Sequence, residues 1–327
     1  MLAPALNKDY LETQEVLSTA YANVIPIEKF NTTQKAQPSP NTQLLNTILA
    51  RGYHFQDSEK ISFNSIDLFY THQKLTPEFG IGVDGGYFYI QQQDIAKYSG
   101  QRFGASLLWN HFTLRLGMNL FDDFSEFVPT IEYQNRFRQH SYSLEYTHQN
   151  ALFYTFSLCP YEKKVDVHHF NASDYISLRN NKDLWTNIEL NNYSNNDTEL
   201  TGQFDWRFYY NTLQDKKFSY HIALEGWYTT HSHPNNCFYS PDFSDATMVR
   251  IDPRYIFSKY LGVRAKAGLG YSFADKAQAY KAGLWFFGNP KENLTYNIGC
   301  LYSNATRLSS SATYNYRECE VNMGYTW

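Results

Sequence analysis

Apolar and polar residues alternate with a period of two along most of the chain after residue 59. The stretch FTLRLGMNL (112–120) puts Phe, Leu and Met on one side, and Thr, Arg, Gly and Asn on the other. Successive side chains of a β-strand point to opposite faces, so this pattern predicts strands that are apolar on one face only. The pattern predicts about sixteen strands, near 60–71, 78–90, 100–109, 111–120, 127–137, 139–148, 151–158, 183–193, 198–211, 217–230, 246–257, 260–273, 277–289, 292–303, 309–317 and 319–327.

The length of these runs indicates the fold class. Many exceed the ~5–6 residues typical of globular strands and reach the ~9–11 residues that a tilted transmembrane strand needs. Short connections at 110–111, 139–140 and 317–318 contrast with long ones at 159–182 and 231–245. Short turns and long loops are typical of outer-membrane barrels. We therefore predict an all-β fold, a transmembrane antiparallel β-barrel, over a soluble β-sandwich with shorter strands.

The two ends of the chain predict how the barrel begins and closes. Residues 5–22 have helical spacing, a polar linker follows, and 44–55 are expected to form a short helix or turn. This divides the chain into a helical segment and linker, 1–57, and a barrel, 58–327. The last stretch, CEVNMGYTW (319–327), has a wholly apolar face and is predicted to close the barrel against 60–71. The first residues lack the features of a secretory signal, which we expect to precede this chain in an exported protein.

Composition agrees with a membrane barrel and excludes a helical membrane protein. Tyr 28, Phe 24 and Trp 6 are many for a chain whose mean hydropathy is only −0.54. No stretch reaches the ~18–20 apolar residues of a membrane helix. A net charge of −4 gives no reason to expect a nucleic-acid partner. Of the four cysteines, Cys300 and Cys319 are interpreted as small hydrophobic residues, whereas Cys159 and Cys237 could form a bridge between loops.

The polar face of the predicted strands carries charges of both signs. In a barrel this face lines the lumen, where charges pair with one another or contact water. They either hold the wall together as cross-strand pairs or line a hydrated pathway for a polar solute, together with Trp185, Tyr209, Trp227 and Trp285. The residues predicted to line the pathway are Arg115, Glu132, Arg136, Asp205, Arg207, Glu225, Arg264 and Lys266.

Signals for catalysis or metal binding are weak. His168-His169 and His231-x-His233 each lack a third ligand at readable spacing. No GxSxG nucleophile motif is present. We expect no catalytic residue, no metal and no cofactor. A cluster of His with Ser or Asp at the rim of the barrel would instead indicate a hydrolase.

Three stretches resemble a known family. Residues 235–273, which include Tyr239-Ser240-Pro241, the final segment 309–327 and the helix 6–23 are similar to parts of bacterial exopolysaccharide export porins. These are the outer-membrane proteins of the Pel, poly-N-acetylglucosamine and cellulose systems, in which periplasmic tetratricopeptide repeats precede a barrel. The segment 1–57 then resembles the tail of such a repeat region.

The resemblance implies a bacterial outer-membrane porin that exports a secreted, biofilm-type polysaccharide through its lumen. It also implies contact with membrane lipid and, through the N-terminal region, with periplasmic biosynthesis or export machinery. We expect a monomer, because a closed barrel has no free edge strand. An outer-membrane hydrolase acting on lipid or glycan and a general diffusion porin remain as alternative functions.

Overall fold

The structure is a computed structural model in which the chain forms one β-barrel. It describes residues 44–327 apart from 59, 76–77, 94, 138, 156, 179–181, 211–216, 234–236, 238–241, 259, 292 and 305–314. The strands are β1 (Leu44–Asp57), β2 (Ile61–Leu75), β3 (Glu78–Gln92), β4 (Ala96–Trp109), β5 (Phe112–Phe121), β6 (Ser125–Phe137), β7 (His140–Asn150), β8 (Asp166–Leu178), β9 (Lys182–Tyr193), β10 (Thr198–Tyr210), β11 (Phe218–His231), β12 (Ser244–Ser258), β13 (Leu261–Ser272), β14 (Ala277–Lys291), β15 (Leu294–Ser303) and β16 (Tyr316–Thr326). Two short helices, α1 (Leu152–Thr155) and α2 (Leu158–Glu162), interrupt the strand order.

Each strand pairs antiparallel with its neighbours in sequence, and β1 pairs with β16 to close the barrel. The predicted fold class, an antiparallel barrel of about sixteen strands, is confirmed. We call the end where β1 starts and β16 stops the terminal end, and the opposite end the far end. The three longest connections, 151–165, 232–243 and 304–315, all lie at the far end. Among the described residues, no helix is long and apolar enough to cross a bilayer.

The prediction of a helix or turn at 44–55 is wrong, because this segment is strand β1. The barrel therefore starts at Leu44 rather than at residue 58, and the last strand closes on β1 rather than on 60–71. Thr47 lies opposite Thr326, and Asn46 exchanges two backbone hydrogen bonds of 2.9 Å with Trp327. The inner face of β1 carries Tyr53 and Phe55, so the apolar–polar alternation fails there. The helix predicted at 5–22 lies outside the described residues.

Three further strand predictions are corrected. Residues 151–158 are mainly helical instead of forming a strand, and 166–178, predicted as loop, form strand β8. The turn predicted at 317–318 lies within β16, which continues from Tyr316 to Thr326. The run 151–158 is apolar on all sides because it packs inside the barrel, and an apolar run of this length has no helix or strand signature.

The outer face is apolar, as expected of a surface that contacts lipid. Aliphatic side chains such as Ile66, Val83, Val249 and Leu269 are more than half exposed in the isolated chain. Exposed aromatic residues lie toward both ends, as in the girdles of outer-membrane barrels. They include Trp109, Phe137, Tyr255 and Trp327 at the terminal end, and Phe127, Tyr228, Tyr271 and Phe273 at the far end.

Both pairs of cysteines are joined. Cys300 and Cys319 lie directly opposite each other on β15 and β16 and form a disulfide on the outer face. The interpretation of these two cysteines as small hydrophobic residues did not include this bridge, which forms because cross-strand register places the two sulfur atoms side by side. The bridge that the sequence allowed between Cys159 and Cys237 is present and joins two far-end connections.

Candidate functional site

The inner face of the barrel carries almost all of the predicted pathway residues. Six of them are buried on the inner face, and Arg264 is half-buried beside them. Arg136 lies in β6, and its side chain is outside the described residues. The six buried residues are Arg115, Glu132, Asp205, Arg207, Glu225 and Lys266. Their role in translocation stays a prediction.

The inner face of β6–β9 is acidic. Glu132 lies directly opposite Glu145, and Glu189 follows two strands further along the wall. Amide groups donate to these carboxylates: Asn187 Nδ2 lies 2.9 Å and Gln203 Nε2 3.3 Å from Glu189 Oε1. Among the described inner side chains of these four strands, none is Lys or Arg. This acidic sector therefore offers hydrogen-bond acceptors and negative charge to the lumen.

The inner face of β10–β14 carries a basic network centred on Arg250. This guanidinium is 2% exposed and contacts Glu225, Asp252 at 2.8 Å and Asp205 at 3.0 Å. Arg207 Nε also donates to Asp205, at 3.0 Å, and Lys281 contacts Glu225. Each carboxylate at the centre thus holds two cations. The charges satisfy one another, which explains how they tolerate burial.

Arg250 and Asp252 were missed as site residues, although the sequence carries a signal for them. In SDATMVRIDPRYIFS, Val249 and Ile251 are exposed on the outer face, so the residues between and beyond them point inward. His221 contacts Asp252, and Arg264 Nη2 lies 3.6 Å from its Oδ2. Alternation could place these groups on the inner face, but the pairing across three strands depends on barrel curvature and register.

Two further ion pairs lie flat on the wall of β2–β5. Arg102 binds Asp67 through two hydrogen bonds of 2.5–2.6 Å, and Arg115 binds Asp84 through two of 2.6–2.9 Å. The first pair passes over Gly86 of the intervening strand. A Cβ there would overlap the Oδ1 of Asp67, so the pair needs a glycine at this position. Like the basic network, these bidentate pairs hold the wall together.

A recess opens into the wall of the basic sector. Two buried tryptophans, Trp185 and Trp227, lie on either side of Gln203 and Asp205 of β10. The recess is lined by Trp185, Gln203, Phe204, Asp205, Arg207, Glu225, Gly226, Trp227, Ala246, Met248, Arg250, Lys266 and Lys281. Four of the pathway residues predicted from sequence, Asp205, Arg207, Glu225 and Lys266, are brought together here.

The connection 151–165 folds into the far end of the lumen, and we call it the plug. Leu152 and Phe153 are almost completely buried, and the Phe153 ring packs edge-on against Phe88 at 5.1 Å and Phe63 at 6.4 Å. Together with Tyr53 and Phe55, these inner residues form an apolar core between the plug and β1–β5. This part of the lumen face is therefore apolar and occupied.

Polar contacts and a disulfide hold the plug in place. Asn150 accepts from the backbone N–H of Leu152 at 3.0 Å and donates to the carbonyl of Pro160 at 3.2 Å, which links the start of α1 to the middle of α2. Cys159 is bonded to Cys237 of the connection 232–243. Tyr161 donates to Asp123 at 2.7 Å, and burial together with this carboxylate raises the pKa of the Tyr161 hydroxyl.

A His–Asp pair lies at the far rim. His231 Nδ1 is 2.7 Å from Asp197, and both side chains are buried. Ser232 Oγ contacts Asp197 at 3.5 Å and accepts from the backbone N–H of Thr198 at 2.9 Å. These contacts fasten the turn between β9 and β10 to the end of β11. The cluster has the composition given above as the sign of a hydrolase, and Ser232 Oγ also lies 3.0 Å from His233 Nδ1, so a hydrolase stays an alternative function.

The histidines of the two pairs considered for metal binding contact different partners. His168 points outward and stacks on His148, with ring centroids 4.5 Å apart, whereas its neighbour His169 points inward to Asn191. His233 Nδ1 contacts Ser232, and His231 contacts Asp197. The described residues hold no group of three or more ligating side chains that could bind a metal.

Comparison with solved structures establishes the barrel type. A bacterial polysaccharide outer-membrane secretin aligns with a TM-score of 0.67 and 9% identity over 88% of this chain and 100% of that one. CdiB from Acinetobacter baumannii gives 0.51 and 8% over 86% and 60%. An anion-selective porin from Comamonas acidovorans gives 0.47 and 8% over 87% and 99%. No family model and no curated protein matches the sequence. The chain has the fold of a bacterial outer-membrane β-barrel, as the alignment with the secretin shows.

Proposed function

We propose that the protein is an outer-membrane porin that exports a secreted exopolysaccharide through its lumen, without catalysis. The observation that carries the proposal is the inner wall, where paired charges and buried tryptophan rings line the same mid-lumen surface on β9–β14. Polar groups can bind sugar hydroxyls, and aromatic rings offer apolar surface to the C–H faces of a sugar. The full-length likeness to a polysaccharide secretin supports the same reading.

The pairing of charges on the wall is compatible with the passage of a polymer. A conduit must bind its cargo at several weak sites, because one tight site would stop transport. Arg102, Arg115 and Arg250 each hold carboxylates of the wall itself. A passing chain therefore meets arginines that are already paired with carboxylates, and it exchanges hydrogen bonds with these pairs instead of binding to an unpaired guanidinium.

Removing the plug provides a test of the proposal. We would replace residues 152–162 with a short Gly-Ser linker and record currents in planar bilayers. The native protein should conduct little, and the variant should conduct ions with transient blockades by oligosaccharides. Blockade time should increase with oligosaccharide length, because a longer chain contacts more of the wall. If no oligosaccharide of acidic, neutral or basic type blocks the variant, the proposal is wrong.

A general diffusion porin is the second candidate, and the charge distribution favours it. The acidic sector of β6–β9 faces a lumen whose other wall, on β10–β14, is rich in Arg and Lys. Such a lumen would conduct small ions of both signs. Under this function the native protein conducts steadily, and blockade is independent of oligosaccharide length.

The location and partners follow from the same proposal. The apolar outer face with its two aromatic belts would contact outer-membrane lipid, and the closed barrel would act as a monomer because it has no unpaired edge. Contact with periplasmic biosynthesis or export machinery would involve the N-terminal residues 1–43. These residues lie outside the described part of the chain, so this partner stays a prediction.

A further inference from the structure

The recess of β9–β14 contains polar atoms that lack a partner. Within the described part of the chain, the Trp185 Nε1–H, the Gln203 Oε1 and the Asp205 Oδ1 are buried and make no hydrogen bond. Leaving such a group unpaired costs about 1–3 kcal/mol, so orphan groups at one place point to a missing ligand. Trp185 is 7% exposed, and its ring lines the recess.

These three atoms match a hydroxylated ligand. A hydroxyl group donates one hydrogen bond and accepts two, so adjacent hydroxyls could accept from Trp185 and donate to Gln203 and Asp205. The register places these residues within one patch, because Trp185 lies opposite Asp205 and Gln203 lies opposite Trp227. Gln203 Nε2 donates to Glu189, which leaves its Oε1 for the ligand. The tryptophan rings supply the apolar surface.

The charge of the recess favours sugars of one charge type over others. Its lining contains four cations and two carboxylates, and Asp252, which also binds Arg250, adds a third carboxylate, so an excess of one positive charge remains at the recess. Arg207 and Arg250 share Asp205, Lys281 contacts Glu225, and Lys266 lies 5.2 Å from the centre of the Trp285 ring. A sugar unit that carries a carboxylate would offset this excess, whereas an amino sugar would add to it.

We propose that this recess is a binding subsite for an acidic sugar unit of the exported chain, with Trp185, Gln203 and Asp205 binding its hydroxyls. The inference rests on the proposed export function and specifies its substrate class as an acidic polysaccharide. Binding should be weak, with a Kd on the order of 1 mM, as transport through the lumen requires.

The test is a ligand-observed NMR titration of the full chain in detergent micelles. The probes are oligogalacturonate, a neutral maltooligosaccharide and a basic chitosan oligomer of equal length. Trp185→Phe keeps an aromatic ring, although a smaller one, and removes the N–H donor. Trp206→Phe is the matched control, because Trp206 is the next residue after Asp205 on β10 and is exposed on the outer face.

We expect oligogalacturonate to bind in preference to the other two probes and Trp185→Phe to weaken it about fivefold to tenfold. Trp206→Phe should leave affinity unchanged. Equal or tighter binding of the neutral or basic probe overturns the inference, as does no binding or an unchanged affinity in Trp185→Phe. Heat-modifiable migration on a denaturing gel shows whether each variant is folded. Failure of this inference leaves length-dependent blockade of the opened lumen intact, whereas failure of the export proposal removes that blockade.

Discussion

The far-end half of β1–β5 and the mid-lumen wall of β10–β14 are parts of one barrel interior with opposite chemistry. The first is an aromatic core in which Phe63, Phe88 and Phe153 pack together, closed by a disulfide-linked loop. The second is a wall of buried ion pairs around Arg250 with an open recess. The first region stabilises the barrel by burying apolar side chains away from water, and the second by pairing buried cations with carboxylates. Under the proposed function, the first region would close the lumen and the second would contact the exported chain.

The largest effect should come from breaking the charged region at Arg250. Arg250→Met leaves Asp205, Glu225 and Asp252 with fewer cations, and loss of one partner of a buried ion pair costs about 3–5 kcal/mol. Urea unfolding in micelles would measure the decrease in the free energy of unfolding. Arg317→Met, at an exposed position of β16, should change it by less than about 0.5 kcal/mol. Equal effects at both positions would contradict the central role of Arg250.

The matching change in the aromatic region is Phe153→Ala. Removing a buried phenylalanine side chain costs about 3–5 kcal/mol, but the plug is a loop, so we expect the cost to appear as local opening. Protease cleavage within 151–165 should become roughly a hundredfold faster, while the unfolding midpoint of the barrel changes little. Phe127→Ala, on the outer face, should leave cleavage unchanged. A fall in global stability without faster cleavage would show that the plug does not open independently.

A smaller effect on the free energy of unfolding should distinguish alanine substitutions at two glycines of the wall. Gly86→Ala puts a methyl group into the Asp67–Arg102 pair, and overpacking of this kind costs about 1–3 kcal/mol. At Gly52 an added Cβ would lie 3.9 Å from the side chain of Val321, which is an ordinary contact. Gly52→Ala should therefore be nearly neutral in the same unfolding assay. If the two substitutions cost the same, the pair does not depend on the glycine beneath it.

The smallest expected difference lies between the two disulfides. The Cys159–Cys237 bridge spans 78 residues and the Cys300–Cys319 bridge 19. The loop-entropy relation makes the longer bridge worth about 1 kcal/mol more. The double serine variant of Cys159 and Cys237 should lose that much more stability than the variant of Cys300 and Cys319. Only the first variant should speed cleavage of the plug, and faster cleavage in both would contradict the assignment.

Much of the barrel could be predicted from the sequence because the bilayer imposes alternation on every strand whose inner face is polar. The outer residues Leu114 and Leu116 flank the inward Arg115, and Trp206 lies between the inward Asp205 and Arg207. The predictions failed where the inner face is apolar or the outer face carries polar residues. Tyr53 and Phe55 of β1 point inward onto the plug, and Phe153 is apolar because it is buried in the lumen. Strand β8 was missed because its outer positions include His168 and Asp174.

The sequence predicts which residues of the candidate site point inward, but it does not predict that they meet in one recess. Asp205, Arg207, Glu225 and Lys266 lie on three strands, and the recess that unites them depends on register, curvature and the position of Trp185. Arg250 binds carboxylates from three strands, a contact that no local spacing encodes.

The order of residues alone is enough for the fold class, the lipid-facing surface and the sign of most inner charges, because these depend on a period of two and on the cost of exposing polar groups to lipid. The tertiary structure decided the rest. It set the closure of β16 on β1, the filling of one part of the lumen by the plug, and the pairing of Arg250. Those features depend on which inner faces meet across the barrel, and that arrangement exists only once the sheet has closed.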